Sequence, residues 1–152
     1  MPASDFDFLH GTWHIHNRRL DKRLAGCTTW SEFDSSAWCK PIFGGAGNVD
    51  EFSFGDGESY GITVRIYEPT TDLWFLTWGD SGKGAMLPPL SGSFTDGVGT
   101  FFGEEEFEGR TVKIRYIWSK TTPTSAQWEQ ALSDDGGQSW ETNWYMYLTR
   151  TN

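Results

Sequence analysis

"FDFLHGTWHIHNRRL", residues 6–20, holds all three histidines of a 152-residue chain between positions 10 and 16 and places Trp13 in a Gly-Thr-Trp triplet. Along an extended segment side chains alternate, so Trp13, Ile15, Asn17 and Arg19 share one face while His14, His16 and Arg18 share the other. If Trp13 faces a core, Asn17 and Arg19 face it too. A single bulge would reverse the later part of that assignment. Large polar groups turned inward need a wet interior or buried partners such as carboxylates, because an unpaired buried charge is too costly. This stretch therefore decides between a solid apolar core and a polar cavity.

The rest of the chain supplies the walls. Nine Trp, eleven Phe and five Tyr stand beside eighteen Gly. Aromatic residues favour a pleated, half-buried surface, and glycine supplies the turns and bulges of a curved sheet. Turn chemistry recurs at "GDGES" (55–59), "EPTTD" (68–72), "TDG" (95–97), "FEGR" (107–110), "KTTPT" (120–124) and "SDDGGQSW" (133–140). Between these turns the pattern predicts about ten strands, near 12–20, 27–40, 48–54, 60–67, 73–79, 90–95, 98–107, 110–119, 125–133 and 141–150. No window sustains a helical period, although "SDFDFLH" suits a short turn with Ser4 as its N-cap. The stretch "GDSGKGAMLPPLSG", residues 79–92, reads as a long loop of the kind that guards the mouth of a barrel. The length fits one domain, residues 1–152.

A formal charge of -9 disfavours phosphate backbones and anionic lipid, so neither a nucleic-acid nor a membrane partner is expected. The start "MPASDFDF" lacks the basic and apolar regions of a signal peptide, which makes the cytoplasm the expected compartment. On one extended segment Cys27 and Cys39 would lie roughly 40 Å apart, beyond disulfide reach, so both are expected as free thiols.

Ser133, Asp135, Gly137, Ser139 and Trp140 match the Asp-box hairpin, S-x-D-x-G-x-[ST]-W. This resembles a structural brace found in unrelated folds, whose Asp holds the turn and whose Trp is buried. It supports the last hairpin and carries no activity.

Gly11-Thr12-Trp13 near the start and Arg150 on the final strand together resemble the calycin superfamily, which includes lipocalins, fatty-acid-binding proteins, avidins and nitrobindins. The resemblance implies an up-and-down antiparallel barrel whose Trp plugs the closed end with the Arg over its indole. Over greater length, "FDFLHGTWHIHNRRL", "GGAGNVDEF", "WEQALSDDGGQSWETNW" and the terminal "LTR" resemble a group of bacterial calycin-like proteins. Against nitrobindins the chain departs: "GTWHIHN" replaces a G-x-W-x-G-x-G opening, and no His lies near the C-terminus where a haem ligand would be expected.

Candidate chemistry follows from polar groups set inside strands. His14-x-His16 has the spacing of paired zinc ligands, but nothing in the sequence requires a third, so no metal is assigned. His16 suits acid/base work because an imidazole titrates near neutrality, and Asp50 and Glu129 are its candidate partners. Alternation sends at most one of the adjacent Asp50 and Glu51 inward. Asn17 and Arg19 are candidate grips for the polar end of a ligand. Trp74, Trp78 and Trp128 are candidate walls, with Asn143 and Arg115 as further contacts; Arg65 and Arg115 are otherwise expected on the surface. The chain has no P-loop, dinucleotide fingerprint, G-x-S-x-G elbow or CxxC knuckle, which disfavours nucleotide chemistry and serine hydrolysis. The preferred expectation is a barrel that binds a small, partly hydrophobic or aromatic molecule without a cofactor, as a monomer or homodimer. The alternatives are a cofactor-independent isomerase, cyclase, dehydratase or decarboxylase, and, less favoured, a haem protein ligated by His14 or His16.

Overall fold

A computed structural model of the protein describes residues 2–151. Two short 3-10 turns, Pro2–Ser4 and Asp7–Leu9, precede β1 (Gly11–Leu20) and β2 (Trp30–Ile42). A third such turn, Phe43–Gly45, leads into β3 (Gly47–Ser53), β4 (Tyr60–Glu68) and β5 (Leu73–Asp80). The two-residue β6 (Ala85–Met86) follows, then β7 (Leu90–Thr95) and β8 (Val98–Phe107). The chain ends with β9 (Arg110–Ser119), β10 (Ser125–Ser133) and β11 (Glu141–Arg150). Every pairing is antiparallel: β1 to β5 are joined in order, β5 pairs with β7, and the order continues to β11, which pairs back with β1. Ten strands thus close a barrel, and β6 folds back on the end of β5 outside that ring. Closure pairs the backbone edges that an open sheet would leave bare.

The strand limits follow from local chemistry. Tight turns set both positive-φ residues of Asp96-Gly97 and Glu108-Gly109 between strands, the backbone that matches the twist of a two-residue hairpin. The Asp-box forms as expected: Ser139 N and Oγ donate to the Asp135 carboxylate at 2.9 and 2.5 Å, and Gly137 N donates to Ser133 Oγ. Its Trp140, in the turn just before β11, is only half buried and lies on the outer wall under the Arg115 guanidinium. The second strand starts three residues later than expected, at Trp30, since residues 21–29 form a connecting loop.

One end is sealed by the N-terminal segment. Trp13 Nε1 donates to Leu9 O at 2.8 Å, and the Arg150 guanidinium lies 4.3 Å from the Trp13 ring centroid while donating to the carbonyls of His10 and Phe8. That Trp–Arg closure is the contact the calycin resemblance implies, and the architecture fits a calycin-like barrel. Phe6 packs edge-on against Trp74, whose Nε1 donates to Pro2 O. Ser4 is not the N-cap of the turn before β1; Phe6 occupies that position without a side-chain capping bond. No helix among the described residues is long and apolar enough to cross a membrane.

Candidate functional site

Above the plug the barrel encloses a cavity of about 290 Å³. Its position follows from strand direction. Inward residues near the starts of β1, β5 and β9's far end meet the plug, whereas those toward Leu20, Asp80 and Phe107 reach the opposite, open end. Three tiers of side chains line it.

The floor is polar. Asp50 from β3 and Arg65 from β4 form a buried ion pair at 2.6 Å, and the same Arg65 nitrogen donates to Asn48 Oδ1 at 2.9 Å. The guanidinium also lies 5.3 Å from Phe6 of the plug and 5.7 Å from Trp118. Cys39, Asp50, Thr63 and Trp78 are successive partners across four strands, and all four line the cavity. Burial pushes the Cys39 thiol up to about 12, so it stays protonated. Arg65 Nε and Trp118 Nε1 are buried donors without a partner among the described residues.

The middle tier is aromatic. Tyr116, Trp128 and Trp144 stack edge to face at 5.1 and 5.6 Å, and Phe52 and Phe54 extend the ring toward Trp78. Gly61 exists here for Trp78: a Cβ at Gly61 would sit 1.9 Å from the indole. Trp144 is fixed from behind, since its Nε1 donates to Asn17 Oδ1 at 3.0 Å.

At the mouth stand Arg19, Arg23 from loop 21–29, Asp80 and Lys83 beside β6, and Glu105 from β8. Burial pushes the Glu105 carboxyl above the usual range, against the pull of Arg23 and Lys83. Burial, with Arg23 adding repulsion, lowers the Arg19 guanidinium.

Of the residues singled out in the sequence, Arg19, Asp50, Trp78 and Trp128 meet in this cavity. Asn17 and Asn143 are fully buried but stand behind the wall: Asn17 holds Trp144, and Asn143 accepts from Gln130 Nε2 at 2.8 Å. Trp74 shares a face with Trp78 yet lies deeper, inside the plug. Arg115 points outward onto Trp140, and Glu129 alternates outward between the inward Trp128 and Gln130. His16 lies on the outer face, its Nδ1 2.9 Å from Asp34 and its Nε2 2.7 Å from Glu32. His14 shares that face, and no histidine lines the cavity. The three proposed acid/base residues are therefore not brought together. Among the described residues no group of three or more His, Cys, Asp or Glu is arranged to hold a metal ion.

Sequence reasoning missed Arg65, Cys39, Trp118, Trp144, Arg23 and Glu105. For Arg65 a signal existed: a lone charge amid the apolar "YGITVRIY" shares the parity of Gly61 and Thr63, and Asn48 and Asp50 supply partners on one face of the preceding strand.

No protein-family model matches the sequence, and no curated protein matches it. Among solved structures, the S-type phycobiliprotein lyase CPES from Guillardia theta matches with a TM-score of 0.62 at 12% identity, covering 100% of this chain and 94% of that one. At that identity the likeness establishes the fold.

Proposed function

We propose that this barrel binds a small, partly aromatic or hydrophobic molecule whose polar atoms are met at the two ends of the cavity. The observation that carries this reading is that two of the four buried side-chain donors without a partner among the described residues, Arg65 Nε and Trp118 Nε1, belong to residues that line the cavity beside its aromatic tier. Buried N–H groups in proteins are nearly always bonded, so two unbonded ones on residues that line one cavity favour an occupant with an acceptor oxygen or nitrogen. Aromatic walls with a few placed polar groups are the usual composition of a ligand site. The test is native mass spectrometry of the purified protein before and after incubation with a metabolite extract from its host. A small molecule retained unchanged at one per chain supports a carrier; a chain that stays empty in both conditions counts against it.

A second reading, proton-transfer catalysis without a cofactor, is favoured by one feature. Glu105 is a half-buried carboxyl whose affinity for its proton is raised by burial, facing the same cavity as Asp50 and Tyr116, and a cleft carboxyl perturbed in this direction is a candidate proton donor. In the experiment above, consumption of a metabolite and appearance of a new mass, abolished in Glu105→Gln, would replace the carrier reading. His16 and Glu129 take no part in either reading, because both face away from the cavity. A haem held through His14 or His16 is disfavoured for the same reason.

A further inference from the structure

We infer that the molecule this cavity holds is an anion, with a single negatively charged group seated at the mouth between Arg19 and Arg23 and its aromatic or apolar body directed inward. The inference rests on the binding reading above and specifies its ligand class.

Arg19 is the central observation. It lines the cavity, and its guanidinium lies 4.6 Å from the Trp144 ring and 5.7 Å from Phe33. Among the described residues no carboxylate pairs with it, although acidic residues outnumber basic ones by twenty-one to twelve over the whole chain. Arg23, a second cation, lines the same end of the cavity, and its charge opposes that of Arg19. A half-buried guanidinium lacking a counter-charge and facing a like charge is a costly arrangement for an empty site.

The remaining charges at the mouth do not relieve it. Asp80 accepts the backbone N–H of Lys83 at 2.8 Å and so braces its own loop. The charges of Arg23 and Lys83 favour the ionised form of Glu105, but its burial outweighs them and favours the uncharged form. Among the residues that line the mouth three cations therefore face two carboxylates, one of them reluctant to ionise, while Glu141, at the same end outside the lining, accepts the Leu24 N–H at 2.6 Å. On the floor, by contrast, Arg65 is matched by Asp50. The excess of one positive charge sits at the mouth alone. Asn17 holds the Trp144 indole against which Arg19 lies, so the guanidinium is set in place before anything binds, the preorganised geometry in which arginine grips carboxylate or sulfonate oxygens well.

The test uses two fluorescent probes of like shape: anilinonaphthalene sulfonate, which carries one anionic group, and phenylnaphthylamine, which carries none. Dissociation constants for both are measured with the wild-type chain, Arg19→Gln and Arg23→Gln, each first shown to be folded by near-ultraviolet circular dichroism. The expected result is a preference of about tenfold or more for the anionic probe, weakened by salt. The preference collapses toward unity in both variants, with Arg23→Gln, on an exposed loop, serving should Arg19→Gln fail to fold. If both probes bind equally well to the wild-type chain, or if the preference survives both substitutions, the anion assignment is overturned while the cavity remains a binding site. If neither probe binds, the binding reading itself falls.

Discussion

Trp144 and Asn17, on the paired strands β11 and β1, are joined by a 3.0 Å bond from the indole nitrogen to the amide oxygen inside the barrel wall. The amide nitrogen of Asn17 donates in turn to Ser35 Oγ at 2.8 Å and Phe33 O at 3.2 Å on β2. One side chain thereby fixes a cavity-lining tryptophan from the side away from the cavity. Asn17 was expected to touch the ligand; its role in the structure is to hold the residue that does line the site.

Replacing Asn17 by Ala should cost about 2–4 kcal/mol, because it leaves the Trp144 N–H and the Ser35 hydroxyl buried without this partner. Urea denaturation measures it. A loss under about 0.5 kcal/mol would mean that water substitutes for the amide, as it can in a wet interior.

The Asp50–Arg65 pair makes a directional prediction. Asp50→Asn removes one charge and strands the other, at a cost of about 3 kcal/mol, whereas Asp50→Leu combined with Arg65→Met should recover most of that loss. Denaturation of Asp50→Leu, Arg65→Met and the double variant completes the cycle. If the double variant is as unstable as the sum of the singles, the pair does not act as a unit.

His16 ties β1 to β2 from outside, and its hydrogen bond to Asp34, then that to Glu32, raises its pKa above 6.5. A group whose folded pKa is raised contributes stability below its unfolded pKa and loses it as pH rises through the folded value. The same bond lowers the Asp34 pKa, so its share is present above the unfolded carboxylate range and is lost as pH falls through the lowered value. The stability difference between wild type and His16→Gln should therefore be greatest between the carboxylate range and about 6.5, and shrink on either side. Parallel denaturation across pH 3–9 measures it; a difference that does not vary with pH would assign His16 no electrostatic role.

The two thiols should differ in reactivity. Cys27 lies on the exposed loop with its pKa lowered by the Thr29 hydroxyl, whereas Cys39 is buried in the cavity with its thiol held at about 12. Alkylation by iodoacetamide near neutral pH should label Cys27 first and leave Cys39 nearly untouched in the folded chain, since the thiolate is the reactive form. Peptide mapping by mass spectrometry reads the order. Equal labelling would show that the cavity opens freely to reagent.

What was legible in the sequence was local or set by strand parity. Turn residues and alternation located all ten barrel strands, most of them to within a residue or two, because Gly, Pro and Asp act on neighbouring dihedrals. The Gly11-Thr12-Trp13 triplet and Arg150 announced the closed end, since Trp13 and Arg150 are register partners at the seam where the first and last strands meet. Alternation from Trp13 correctly turned Asn17 and Arg19 inward and His14 and His16 outward. The site itself needed tertiary structure for two physical reasons. Parity relates residues within one strand but does not say which of its two sets faces the lumen, so Arg65 was expected outside while Glu129 and Arg115 were offered for the site. Only barrel closure fixes that choice. Parity also says nothing of depth: Trp74 and Trp78 share a face, yet the N-terminal segment buries the first as part of the plug and leaves the second to line the cavity. The pairing of Asp50 with Arg65, and the placing of Arg19 over Trp144 at the same mouth as Arg23, depend on strand stagger and on the path of a loop. Those are properties of the closed sheet, set by how all ten strands register together.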